Sequence, residues 1–208
     1  MFAKKFMSIV NDIYYMMKIN LLWILFTIEG GIILGIIPAT ITVFYCIRDR
    51  LKNGYDGGVY AEFKEAYWRV FKSSILLTLG FSLFGLILVL STALLNGVGQ
   101  TNIVLEITLR IGRLLIVLMG IFFFPVYSHF DLHGNKVWIQ PFLFLFICPI
   151  QVVVTVIVIA VSALLYMIDP LLIFFMGISL PAYFIMGMML KKFEKLQEKI
   201  PYIQEVQN

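Results

Sequence analysis

The feature that most constrains this chain is the recurrence of apolar stretches about 20 residues long, separated by short polar links. A helix rises 1.5 Å per residue, so roughly 20 apolar residues cross the ~30 Å hydrocarbon core of a bilayer. Five segments meet that rule: 21–47, broken only by Glu29; 74–95, without charge; 103–128; 138–167; and 170–190. Composition agrees. Of 208 residues, 61% are apolar and 13% charged, where a soluble domain has about 25% charged. At a mean hydropathy of +0.96, too little polar surface remains to cover a water-soluble core, and disordered or disulfide-stapled classes fall as well. The expected fold class is all-α, a polytopic transmembrane helix bundle of about five spans. Segment 138–167 is long enough to require tilt, a kink or protrusion.

The formal net charge of +4 does not point to nucleic acid, because Lys and Arg lie beside the apolar spans, as in membrane proteins generally. Segment 48–73 carries Arg48, Arg50, Lys52, Lys64, Arg69 and Lys72, and segment 191–208 carries Lys191, Lys192, Lys195 and Lys199. The link 96–102 is uncharged, and the link before residue 170 has only Asp169. The positive-inside rule then puts the 48–73 loop and the C-terminus in the cytoplasm of a multi-pass protein. Five spans would leave the N-terminus outside, where Lys4, Lys5 and Lys18 fit poorly. Residues 1–20 could instead lie flat as an interfacial amphipathic segment, since Phe2, Phe6, Val10 and Tyr14 recur every fourth position. Alternatively, Gly30 and Gly31 break the first span into a hairpin. The recurrence favours the interfacial segment. No secretory signal is expected, because Asn11 and Asp12 interrupt the early apolar run.

Few polar groups inside the spans are candidates for chemistry. Glu29 is a costly carboxylate in an apolar run, and it reads either as a substrate-contacting group or as a structural one: a buried partner of Arg110 or Arg113, or a shallow residue near the headgroups. The structural reading is favoured. Gly31-x-x-x-Gly35 followed by Pro38 has the spacing that lets membrane helices approach closely. Glu106, Arg110 and Arg113 share a helical face, either as an ion-paired outer turn or as an electropositive site for an anionic sugar or lipid; the former is favoured. His129 and His133 flank Asp131, but Gly134 and Asn135 suggest a solvated turn and not a metal site. Pro38, Pro125, Pro141, Pro149 and Pro181 fall within spans and predict kinks. Gln140 and Gln151 should bond neighbouring helices, and Cys46 and Cys148 should pack. Phosphate loops, serine elbows and metalloprotease motifs are absent from the sequence, so neither an enzyme nor a cofactor, nor direct nucleotide binding, is expected.

The most organised pattern is in segment 48–73. After glycine turns, Tyr60, Phe63, Tyr67 and Phe71 recur at intervals of three and four, with Glu62, Glu65 and Arg69 elsewhere. That periodicity predicts an amphipathic helix whose aromatic face meets lipid, the rest of this chain or another protein.

The run Asn20-Leu-Leu-Trp23, then Gly31-Ile-Ile-Leu-Gly35-Ile-Ile-Pro38-Ala39-Thr40, then Phe44, Arg48 and the aromatic helix through Phe63, Tyr67 and Phe71, resembles the YesL family of small bacterial integral membrane proteins. The residue-level likeness lies upstream of residue 73; beyond it the similarity is one of hydropathy. The resemblance implies a setting in the bacterial plasma membrane beside carbohydrate ABC importers. The function it suggests is an accessory or regulatory subunit acting by helix contact with the permease. Trp23, Gly31, Gly35, Pro38, Tyr60, Phe63, Tyr67 and Phe71 are then the expected partner-interface residues. An independent small transporter or channel, with a path near Glu29, is the alternative. A membrane sensor paired with a histidine kinase is a further one.

Overall fold

The computed structural model describes residues 2–54, 58–73, 75–97, 103–130 and 136–199. Among them the regular elements are helices: α1 Phe2–Glu29, α2 Ile36–Asn53, α3 Val59–Ser73, α4 Ile75–Gly97, α5 Ile103–Phe130, α6 Lys136–Ile147, α7 Pro149–Ile168, α8 Leu171–Met176 and α9 Ser179–Lys199. Among the described residues, four stretches are long and apolar enough to cross a membrane, within α1 (Lys5–Glu29), α4 (Ile75–Leu94), α5 (Glu106–Phe130) and α7 (Pro149–Ile168). The all-α membrane-helix architecture expected from hydropathy is what the chain adopts.

The span boundaries differ in three places, each for a backbone reason. Segment 21–47 is two helices. Gly31 ends α1 at φ 79°; its N–H bonds to the Ile28 carbonyl at 3.0 Å, and the Ile32 N–H reaches back to the Thr27 carbonyl at 2.9 Å. This reciprocal pair closes a helix on a left-handed glycine. The chain then reverses, and α2 returns along α1: Tyr15 Oη donates to the Cys46 carbonyl at 2.8 Å, and Trp23 Nε1 donates to Thr40 Oγ1 at 3.0 Å. The hairpin, and not the flat interfacial segment, is therefore the form taken, with α1 continuous from Phe2. Phe6, Val10 and Tyr14 remain an outward apolar stripe, while Tyr15, Met16 and Ile19 face in.

Segment 138–167 breaks at Cys148 (φ −125°, ψ 56°), immediately before Pro149. Proline pushes its predecessor out of the helical region and is itself comfortable at the first helical position. Segment 170–190 breaks at Gly177–Ile178, between α8 and α9, and α9 carries the basic residues of the C-terminal segment as far as Lys199. Of the five prolines expected to kink spans, only Pro125 and Pro141 are interior to helices. Pro38 and Pro181 stand in the first turns of α2 and α9, where a missing N–H costs nothing.

Helix α2 is the axis of the molecule. From Pro38 to Ile47 all its residues except Tyr45 are buried, and α1, α3, α5 and α9 pack around it. A helix apolar on every side belongs inside a protein. Its threonines are satisfied locally, Thr40 by the Ile36 carbonyl at 2.7 Å and Thr42 by the Pro38 carbonyl at 2.8 Å. Helix α3 buries Phe63, Ala66, Tyr67 and Val70. Phe26 of α1 receives Phe63 and Tyr67 with ring centroids 5.3 and 4.9 Å away. The aromatic face thus docks on this chain.

Ile32 follows Gly31 at φ 56° with its side chain exposed. The left-handed region costs an L-residue about 1–2 kcal/mol, more for a β-branched side chain. Ile32→Gly should therefore stabilise the protein by about 0.5–1 kcal/mol after the added freedom of the unfolded chain is subtracted. A raised Tm in mild detergent checks this; Gly31→Val should lower it.

Candidate functional site

Three arrangements stand out beyond generic packing. The first is a clamp built by Asn20, which is 1% exposed. The break between α8 and α9 frees backbone groups on both sides. Asn20 Nδ2 donates to the Phe174 carbonyl at 2.7 Å and the Ile173 carbonyl at 3.4 Å. Its Oδ1 accepts from the Ile178 and Ser179 N–H groups at 2.9 and 3.3 Å. One side chain from α1 thereby caps the end of one helix and the start of another. Three residues on, Trp23 binds Thr40, so the two halves of the sequence run from Asn20 to Thr40 meet across the hairpin.

The second is a charged cluster at the open end of the hairpin. Arg50 pairs with Asp12 at 2.8 Å and stacks on the Tyr15 ring, 4.3 Å from its centroid. Arg48 pairs with Asp49 at 3.2 Å, lies 4.6 Å from the Tyr45 ring centroid and donates to the Ser128 carbonyl on α5. Glu62 of α3 faces this group, with Oε2 buried and lacking a hydrogen-bond partner among the described residues. Burial first, and the Asp49 carboxylate second, push the Glu62 pKa above its ordinary value.

The third is an apolar cavity of about 470 Å³, lined from α2, α4, α5, α6, α7 and α9. Of the lining side chains only Thr40 and Trp138 carry conventional hydrogen-bonding atoms. The Thr40 hydroxyl already donates to Ile36 and accepts from Trp23. Gly80 admits the Trp138 indole so closely that a Cβ there would collide with it. Phe81 and Phe123 pack in the same aromatic group, 4.8 Å apart.

The sequence-predicted residues fall as follows. Phe63, Tyr67 and Pro38 are buried in this chain and so present no free interface. Trp23 is half-buried on Thr40, while Tyr60 is exposed and Phe71 half-buried. Gly31 and Gly35 serve the turn and not a helix–helix crossing: Gly31 takes the left-handed position, and a Cβ on Gly35 would strike the Thr27 carbonyl. Glu29 is exposed at the end of α1, which sets aside the buried partnership with Arg110 or Arg113 and leaves the shallow placement of the two structural readings. Arg110 instead pairs with Glu106 at 2.6 Å, the ion-paired turn its spacing predicts, and Arg113 is exposed. His129 is buried against Phe130 and Phe193, with centroids 4.7 Å away in both cases, so it is not in a solvated loop. Asp131 and His133 lie outside the described residues. Cys46 and Cys148 are buried and unpaired with each other, as packing residues. The Asp12–Arg50 pair, Glu62 and the Asn20 clamp were not visible as a group in the sequence, because their members come from separate segments.

Asn20→Ala should destabilise the protein by about 2–4 kcal/mol, since removal of one amide strands several buried backbone groups. The loss should appear as faster hydrogen exchange at 173–179 and a lower Tm. For Glu62 the sign is fixed by its raised pKa. The folded state holds the proton more tightly, so stability falls as pH rises from the ordinary carboxyl value through the folded one, then levels. Glu62→Gln should remove that fall and raise Tm above the crossing, leaving acidic-side stability nearly unchanged.

Residues 16–92, from α1 through the hairpin and α3 to most of α4, match the family described as "Protein of unknown function, DUF624". Three uncharacterized proteins of Bacillus subtilis (strain 168) are similar. YesL is 28% identical over 122 residues, 57% of this chain and 56% of YesL. YteU is 29% identical over 166 residues, 79% of this chain and 74% of YteU. YesV is 32% identical over 130 residues, 61% of each chain. The match with YesL and that with YesV thus each span less than two thirds of the relative's own length. No solved structure matches the chain. The family match encloses Asn20, Trp23 and the Pro38–Thr40 stretch of α2, and together with these three relatives it supports the chain's likeness to the YesL family, DUF624.

Proposed function

We propose that this chain is an accessory or regulatory integral membrane subunit that works beside a bacterial carbohydrate ABC importer, in the plasma membrane. The resemblance to the YesL family supplies the setting. The observation that carries the reading is the cavity lining. A sugar crossing a protein must exchange its water hydrogen bonds for protein ones. The largely apolar cavity offers Thr40, already engaged on both sides, and the indole of Trp138. Three of the span hydroxyls likewise turn back to their own helices: Ser82 to Thr78, Thr92 to Leu88 and Ser162 to Val158, each at 2.8 Å. This favours a contact role over the independent transporter.

The open end of the hairpin faces the cytoplasm in this reading. The N-terminal end of α1, bearing Lys5, and the Arg48–Arg50 end of α2 lie together, which is what the positive-inside rule asks for. Because Phe63 and Tyr67 are buried, the partner surface is the outward face of α3, a shallow groove formed by Tyr60, Lys64, Glu65, Trp68, Arg69 and Lys72. Aromatic and arginine side chains at a polar rim suit a protein contact.

Purification in mild detergent from the native host should recover importer permease subunits, and Trp68→Ala with Lys64→Glu should reduce that recovery at least tenfold while leaving Tm within a few degrees. Recovery of no importer subunit by the parent chain overturns the reading. Sugar flux through vesicles containing this chain alone would install the independent transporter, and specific recovery of a histidine kinase would install the sensor.

A further inference from the structure

We propose that the apolar cavity is a binding site for one acyl chain of an anionic phospholipid, whose phosphate is held by Arg113. The cavity floor is tightly closed: Phe44, Phe123, Ala182 and Ile185 are each 5% exposed or less. Its mouth is on α4 and α5, where Gly85 and Val117 line it and are exposed. Those two helices contain stretches long and apolar enough to cross a membrane. What stands at the mouth is therefore lipid hydrocarbon and not water.

An unfilled void of this kind is expensive, since lost packing scales with cavity volume. Filling it with water fails, because a buried water needs two or more polar partners and the lining has almost none to give. A flexible hydrocarbon chain entering sideways from the bilayer meets both conditions. Two glycines widen the route without being required by the backbone. A Cβ at Gly85 would meet nothing within 4 Å, and one at Gly120 would touch only Phe81, at 3.9 Å.

Charge selects the headgroup. Arg113, Val117 and Gly120 follow at helical spacings on one face of α5. Arg113 is exposed about one turn beyond Val117. Arg110 is engaged by Glu106 at 2.6 Å, whereas among the described residues no carboxylate pairs with Arg113. Gly120 and Arg113 are roughly 10 Å apart along the axis. The guanidinium can extend further toward the headgroup layer while its stem covers apolar surface. A tail in the cavity thus leaves its phosphate within reach of a fork of donors suited to it. This inference is independent of the importer reading.

The test uses the full chain purified in mild detergent, with phosphatidylglycerol and phosphatidylcholine of identical tails, followed by native mass spectrometry and thermal shift. Phosphatidylglycerol should give a one-lipid adduct and raise Tm, with phosphatidylcholine binding more weakly. Arg113→Gln should cut the preference for phosphatidylglycerol about tenfold while tail binding persists. Gly120→Leu should abolish binding of both lipids with an unchanged or higher lipid-free Tm, and Gly85→Leu serves as the second filling variant if the first fails to fold. Glycerol phosphate, which has the headgroup charge but no tail, should not compete. Retained adducts in a folded filling variant, an unchanged preference in Arg113→Gln, or full competition by glycerol phosphate would each overturn the proposal.

Discussion

Backbone amides and carbonyls cannot be left bare in hydrocarbon, and the whole architecture follows from how this chain meets that demand. An unbroken helix meets it internally. This chain breaks its apolar runs at three places, and each break is closed differently. At Gly30–Gly35 the α1 end folds back on its own carbonyls through Gly31. At Cys148 the break is supported by Pro149, which has no N–H to satisfy. At Gly177–Ile178 neither device suffices, and Asn20 reaches over from α1 to engage groups on both sides.

Those closures let α2 occupy the centre. A helix entered directly from a continuous span would lie end to end with α1; reversed by the Gly31 turn, it lies beside α1 and is then covered by α3, α5 and α9. Its enclosure explains why Phe63 and Tyr67 are spent on internal packing and why α3 keeps only a polar and aromatic outer face. It also explains the charge cluster, because the reversal brings Asp12 alongside Arg50. Helices α4, α5 and α7 pack less completely, leaving many of their apolar side chains exposed and a cavity between them and α2.

How much was legible depended on whether the cause was local. The amphipathic period of α3 picked out two of its buried residues, Phe63 and Tyr67, from helical geometry alone, while Tyr60 at the edge of that face stands exposed and Phe71 half-buried. The Glu106–Arg110 pair was readable for the same reason. The hairpin was visible as Gly30-Gly31 but competed with an equally local amphipathic stripe at Phe6, Val10 and Tyr14, and hydropathy cannot separate the two because both leave that stripe facing lipid. The role of Asn20 was hidden: its partners at residues 173–179 lie more than 150 positions away.

The sequence by itself determined that the chain is an all-helical membrane protein, where its apolar segments fall, and which helix carries an aromatic face. These properties follow from hydropathy and from a period of 3.6 residues, both of which are sums over neighbours. Tertiary structure alone decided that Glu29 stands exposed at a turn, that His129 is buried, and that Asp12, Arg50 and Glu62 share one end of the bundle. It also decided that an apolar cavity lies between α2, α4 and α5. Such features depend on which helix covers which, and that is set by where the backbone can break and still have its freed N–H and C=O groups partnered.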